Sequence, residues 1–372
     1  MKSPFYLALL SLCIACSPDP AQESSKPEGG YLIFLDEYIV AHELSIDSTW
    51  VGGLSGIDNL GDDYAIISDD AARYQDPRYY KASIEINNGL IDSILFKEVI
   101  FLTDENGLGY ADIKSARNQY VDPEAIRVTG DTIYWGSEGF RMQRHFDPTI
   151  LVHNLQGKHL RTYATDPKFS TAIKEVGPRH NASFEGLALE PDRKALWVNV
   201  EMPLIQDGDV PSAQSGGAPI RISKINVSSG EIEREFGYQL APLFVVPDSG
   251  AFAMNGAVEL LWLAEGQVLV LERSYVAGAG NRVRLFRADY GAATDTKAMT
   301  SLRNNSIRPA RKTLLLDFDD LPVEKIDNIE GLSWGPTLPN GNRTLIFVAD
   351  NNFSKSQINQ FLLLEVLRPL TD

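Results

Sequence analysis

The chain has 372 residues, 44% hydrophobic and 23% charged, enough apolar material for one large domain or two ordinary ones. Its 50 acidic against 34 basic side chains leave a formal charge of -16, which repels phosphate backbones and anionic headgroups and argues against nucleic acid as a partner. Both cysteines, Cys13 and Cys16, fall near the start and the five histidines are scattered, so neither a disulfide frame nor a thiolate or imidazole metal site is expected.

Residues 1–15 carry Lys2, an apolar run from Phe5 to Cys13 and a small-residue end, Ile14-Ala15, which predicts a secretory signal too short to span a bilayer. A small residue followed by Cys16 resembles the bacterial lipobox. That resemblance implies acylation of Cys16 and a membrane-anchored lipoprotein of the cell envelope; an ordinary cleaved signal is the alternative. Residues 16–30 (CSPDPAQESSKPEGG) then read as a lipidated N-terminus and flexible tether.

From Tyr31 to Asp372 short β-branched and aromatic runs alternate with Gly, Asn, Asp and Pro, and no stretch keeps a helical period, which predicts a single all-β domain. The clearest strands are DDYAIIS, DTIYWGS, ALWVNV, QVLVLE and TLIFVAD. A partner strand precedes each, opening at Ser55, Glu124, Glu185, Glu259 and Glu330, and an acidic end follows each, at Asp69-Asp70, Glu138, Glu201, Glu272 and Asp350. Third and fourth strands are predicted at RYYKASIEI with SILFKEVIFL, TILVHNL with LRTYAT, IRISKINV with EIEREFGY, and NRVRLFRADY with TLLLDF. The last unit has only QFLLLEVL as its third strand, so residues 31–40 are expected to supply the fourth and close a ring. The expected architecture is a β-propeller of five four-stranded antiparallel blades around a central channel, with six blades or a pair of β-sandwiches as alternatives.

In such a blade the start of the first strand and the end of the second share one face, so the two acidic sets converge on one channel mouth. Carboxylates that close need raised pKa values or a cation, and oxygen donors at variable geometry suit Ca²⁺. The expected metal ligands are Glu124, Glu185, Glu259, Glu330, Asn328, Glu272 and Asp350, with Asn181, Asn351 and Asn352 close in sequence; Glu138, Asp69 and Asp70 are the expected catalytic carboxylates. Arg73, Arg179 and Arg273 interleave with these acids and, with Asn351 and Asn352, are expected to bind an anionic substrate. Gly331-Leu-Ser333-Trp-Gly335 matches the G-x-S-x-G pattern of serine hydrolases, but the hairpin sequence PTLPNG follows where a nucleophile elbow needs a helix.

GGLSGID, ISDDAAR, DPEAI, GSEG, NASFEGLAL, VLER, DNIEGL and ADNNFSKSQINQFLLLEV, ordered from Gly52 to the C-terminus, resemble the phytase-like family, also called "esterase-like activity of phytase". The resemblance implies an exported propeller and a metal-dependent phosphoester hydrolase. It matches Glu124, Glu185, Glu330 and Asn328 to the family's acidic core, and Asp69, Asp70, Arg73, Glu272, Arg273, Asp350, Asn351 and Asn352 to its outer motifs. One departure is PRHNASFEG, where Ala182 and Ser183 stand in place of an expected Arg, with Arg179 as the possible substitute. A non-catalytic calcium-stabilised binding propeller and a calcium-dependent lactonase or carboxylesterase use the same residues and stay open.

Overall fold

The computed structural model describes residues 30–371. The expected signal segment and Cys16 lie outside the described residues, and no helix among the described residues is long and apolar enough to cross a membrane.

Five four-stranded antiparallel sheets follow one another along the chain. Blade 1 runs Leu54–Leu60, Asp63–Ser68, Arg78–Asn87 and Leu90–Phe101; blade 2 runs Pro123–Thr129, Thr132–Ser137, Thr149–Asn154 and His159–Thr162. Blade 3 runs Phe184–Leu189, Ala195–Val200, Ile220–Asn226 and Ile232–Tyr238; blade 4 runs Ala253–Ala264, Gln267–Val276, Gly280–Asp289 and Arg311–Asp317. Blade 5 combines Ile329–Thr337, Arg343–Ala349 and Asn359–Val366 with Leu32–Val40 from the start of the domain, whose pairing Leu32 to Val366 closes the ring as the sequence predicts. Two short hairpins and two single-turn 3-10 segments decorate the loops.

The second strands read as continuous apolar runs because neighbouring blades cover both their faces. Ala195–Val200 is buried along its whole length, and Trp135 and Trp197 are fully buried between blades. Every inner strand contains a bulge near its start, where one extra residue opposes the second strand. In blades 1, 3 and 5 the glycine beside that bulge lets adjacent inner strands approach closely: a Cβ on Gly186 would run into the backbone of Leu260, and one on Gly331 would meet Val348 at 2.5 Å and the Ser55 carbonyl at 3.0 Å.

A buried guanidinium plugs the channel that these strands surround. Arg127 donates to the carbonyls of Ile57, Ile126, Leu260 and Leu332, which belong to blades 1, 2, 4 and 5, and pairs with Glu259 Oε2 at 3.0 Å. Glu259 Oε1 accepts the Leu187 N–H of blade 3 at 2.9 Å, so one ion pair touches all five blades. Glu259 is thereby withdrawn from the expected metal ligands.

Candidate active site

Three tiers of residues surround the channel mouth at which inner strands begin, and the bulge registers align them. Two residues before each bulge stand Gly53, Asp122, Ser183, Gly256 and Asn328; the next tier is Ser55, Glu124, Glu185, Val258 and Glu330. Where the second strands leave, the third tier is Asp69, Glu138, Glu201, Arg273 and Asp350. The alignment explains two corrections. Glu259 sits one residue past Val258, at the position the close-packed glycines occupy in blades 1, 3 and 5, and so reaches Arg127 instead of the acidic tiers. Glu272 sits one residue before Arg273, and a one-residue step in a strand turns the side chain to the opposite face. There its carboxylate accepts from Tyr238 Oη, Lys312 Nζ and the Ala241 N–H, and although burial alone would raise its pKa, the Lys312 charge and these bonds bring it below the usual value.

The remaining acids converge. Ligand oxygens of Asp69, Asp122 and Glu124 lie within 4.8 Å of one another, as do those of Glu124, Glu138 and Glu185, so Glu124 joins two three-carboxylate clusters. Burial, reinforced by the neighbouring charges, pushes Asp122, Glu124, Glu138 and Glu185 well above the normal carboxylate range. Asp350 rises likewise, from burial and then Glu330 and Asp69. Glu201 and Glu330 are also raised by burial, but Arg273, 3.5 Å from the first and 3.0 Å from the second, offsets it and both stand at about 7. Gly256 makes room here, because a Cβ would overlap the Glu201 side chain.

This donor set fits a hard cation. Asp69 Oδ1 and Asp122 Oδ1 are buried without a hydrogen-bond partner, an arrangement costly for oxygens that carry charge unless a cation or a shared proton lies between them. An all-oxygen set of carboxylates with amide neighbours suits Ca²⁺ better than Zn²⁺. Asn328 completes the rim, its side chain acting with Arg273 to lower the Glu330 pKa against burial.

Of the other expected residues, Asp70 is not at the mouth. It is 1% exposed, accepts the N–H groups of Arg73, Tyr74 and Gln75, and pairs with Arg78 at 2.8 Å, so it shapes the loop that carries Arg73. Arg73 is the guanidinium open to solvent there, its side chain 54% exposed and 3.7 Å from Asp122. Arg179 is spent on the carbonyls of Pro203 and Gly208, ties two loops together, and does not take the place of the missing arginine. Asn351 turns its Oδ1 to the N–H groups of Gly53 and Phe353, a loop-capping role, while Asn352 is exposed beside it. Asn181 is an exposed turn residue with φ of 52°. Ser333 is buried within the inner strand of blade 5, with Oγ 3.4 Å from Asp58, and no elbow forms.

Sequence reasoning passed over Asp122 and its partner Tyr120, whose hydroxyl donates to Asp122 Oδ2 at 2.7 Å. The signal available was the spacing: Asp122 precedes Glu124 by the same two residues that separate Asn328 from Glu330. Glu201 was visible as a strand-end acid, but its place between Arg273 and the Glu185 cluster required the fold.

A five-bladed all-β propeller with two carboxylate clusters able to hold a metal at one mouth is the class of protein these features define. Residues 49–353 match the family model "Phytase-like: Esterase-like activity of phytase", and the chain belongs to that family. A comparison with curated proteins found no match. Among solved structures, the chain is similar to the GH43 BlXynB protein from Bacillus licheniformis at 11% identity and TM-score 0.45, covering 88% of this chain and 54% of that one. It is also similar to a xylan beta-1,4-xylosidase from Bacillus halodurans C-125 at 10% identity and TM-score 0.47, over 84% of this chain and 52% of that one. An endo-arabinase from Bacteroides thetaiotaomicron VPI-5482 is a further match, at 10% identity and TM-score 0.41, over 82% and 90% of the two chains. The chain thus spans about half the length of the first two solved chains.

Proposed function

We propose that this propeller is a calcium-dependent phosphoester hydrolase, exported and anchored to the cell envelope through Cys16. The observation that carries the reading is the pair of three-carboxylate clusters sharing Glu124, with buried unpartnered oxygens on Asp69 and Asp122. Asp69, Asp122, Glu124, Glu138 and Glu185 would hold the cation. When bound, calcium would polarise a phosphoryl oxygen and acidify water beside it.

The chain's own groups supply the rest. Arg73, fixed by the Asp70 cap on its loop, offers N–H donors to a phosphoryl oxygen and to the charge that grows there. Hydrolysis joins a water oxygen to phosphorus and breaks the bond to the ester oxygen. Glu201, at about 7, takes the water proton on its carboxylate, and Glu330, also at about 7, returns one to the departing alcohol oxygen. Arg273 between them keeps both close to neutrality.

The test uses the domain without residues 1–16, assayed on phosphomonoesters, phosphodiesters and carboxylic esters with calcium and after chelation. Calcium-dependent, vanadate-sensitive turnover of a phosphoester is expected. Glu124→Gln, which breaks both clusters, should lower it by at least 100-fold and remove any calcium-dependent rise in Tm, while the circular dichroism of the sheet persists. Turnover retained in that variant overturns the assignment. A calcium-dependent Tm rise with no turnover identifies a binding propeller, and turnover of lactones or carboxylic esters unaffected by vanadate identifies an esterase. Anchoring is tested separately, by acyl-chain labelling of the full chain that Cys16→Ser abolishes.

A further inference from the structure

The channel has a second mouth, on the face where the inner strands end. A cavity of about 490 Å³ lies there, ringed by Leu60, Thr129, Leu189, Leu263 and Trp334 from the inner strands of blades 1 to 5, with Arg127 in its lining. Those strands begin at the carboxylate tiers and run away from them, so the cavity and the tiers occupy opposite faces of the propeller. Its charged groups divide unevenly. Both carboxylates of the lining are engaged within the fold: Asp58 accepts the Val128 N–H at 2.7 Å, and Glu190 accepts from Trp197 Nε1 at 3.0 Å and from Lys224 Nζ at 2.6 Å. Arg127 is paired with Glu259. Arg193 and Arg343, by contrast, are exposed and have no ion pair or side-chain hydrogen bond among the described residues. Partial burial lowers the Arg343 pKa, with no carboxylate near enough to offset it. Three guanidiniums and Lys224 thus stand against Asp58, Glu190 and Glu259, and even with every acid ionised the lining and its partners keep a net positive charge in a chain whose formal charge is -16.

The rest of the lining is apolar or rich in donors. Leucines and the rings of Trp262 and Trp334 form its walls. The Arg343 guanidinium lies over the Trp334 ring, its Cζ 3.4 Å from the ring centroid, which fixes the plane of the fork and leaves its N–H edges without an acceptor. Arg127 Nε and Trp262 Nε1 are buried donors without a partner, and Thr129 Oγ1 is buried and unpartnered as well. An uncompensated guanidinium fork, further unused donors and apolar walls in one cavity match a ligand that carries two acceptor oxygens and one negative charge on an apolar body. A phosphate dianion would have to shed more water against these walls than a single carboxylate does.

We propose that this far mouth is a second ligand site, separate from the carboxylate tiers, which binds a small monocarboxylate with its oxygens on Arg343 and its apolar body against Trp262, Trp334 and the leucines. The chain without residues 1–16, which keeps the closed ring of residues 30–371 whole, is titrated by calorimetry with benzoate, with its neutral counterpart benzamide and with inorganic phosphate, each in calcium and after chelation. Benzoate should bind at least tenfold more tightly than benzamide or phosphate, and equally with and without calcium, because the acidic tiers lie on the opposite face. Arg343→Gln and Trp262→Leu should each weaken benzoate at least tenfold while the circular dichroism of the sheet persists. Lys174→Gln removes the same charge from a side chain that is 94% exposed and outside the cavity, and should leave benzoate binding unchanged. No benzoate binding, or binding indifferent to Arg343→Gln, overturns the site. Phosphate bound as tightly as benzoate overturns the monocarboxylate assignment, and benzoate binding lost on chelation moves the ligand to the acidic mouth and overturns the proposal likewise. Turnover enters none of these readings, so their failure leaves the hydrolase reading standing, and absence of turnover leaves this site standing.

Discussion

His153 shows how a single buried side chain ties stability to pH in this molecule. Trp135 Nε1 donates to its Nδ1 at 2.9 Å and its Nε2 lies 2.8 Å from the Thr103 carbonyl, so the ring is neutral with its proton on Nε2. Burial first, and the His159 ring beside it, bring its pKa down to about 4. The unfolded chain, with histidine near 6.5, then takes up a proton before the folded one does, and the stability this ring contributes is complete above pH 6.5 and lost as pH falls toward 4. The full loss amounts to about 3 kcal/mol. Chemical denaturation of wild type and His153→Asn between pH 7 and 4.5 tests this: wild type should lose stability more steeply, and parallel curves would show that the ring is not protonated on unfolding. The acidic residues illustrate the opposite case. Asp122 and Glu124 are raised by burial and then by the Asp69 charge, and Asp69 by burial, so without a cation each costs the fold something at neutral pH.

At the scale of the blade, the bulged inner strand decides which side chains reach the mouth. The bulge sets Glu330 toward the cluster while Gly331 beside it lies against the neighbouring inner strand. Gly331→Ala would place a methyl group against Val348 and the Ser55 carbonyl, and overpacking of this kind costs about 1–3 kcal/mol. Thermal denaturation should therefore show Gly331→Ala well below wild type, whereas Gly341→Ala, in open space though at φ of 88°, reports only the strain of a left-handed turn. Equal losses at the two sites would show that close approach of the inner strands is not what the glycine serves. The strand order and pairing of all twenty blade strands were legible in the sequence, because apolar runs bounded by turn residues mark strands directly. The phase of each inner strand was not. Glu259-Leu-Leu looks like Glu185-Gly-Leu, and only the pairing of Ala257 with Glu272 reveals that Val258 is the equivalent position.

At the scale of the whole molecule, the Arg127–Glu259 pair does what no blade does alone, since it is bonded to backbone groups of all five inner strands. Arg127→Met should leave Glu259 buried without its partner at a cost of about 3–5 kcal/mol. The double variant Arg127→Met with Glu259→Leu should recover much of that loss, because a buried apolar pair carries no unpaired charge. Urea denaturation of the two variants checks this, and a double variant no more stable than the single one would mean that the carbonyl contacts of Arg127, not its charge, hold the ring together.

Composition, strand spacing and the closing role of residues 31–40 followed from the sequence alone, because burial on both faces writes itself into local hydrophobic pattern. So did the convergence of acids on one mouth, which needs only the antiparallel direction of the first two strands of each blade. Three-dimensional packing alone decided which acids belong to the cluster. A step of one residue along a strand reverses the face a side chain takes without changing the sequence pattern around it, and this placed Glu259 in the channel and Glu272 on the far face. The same packing joined Asp122 and Glu201 to the site and spent Asp70 and Arg179 on loops, since the partners that claim a side chain come from strands distant in the chain.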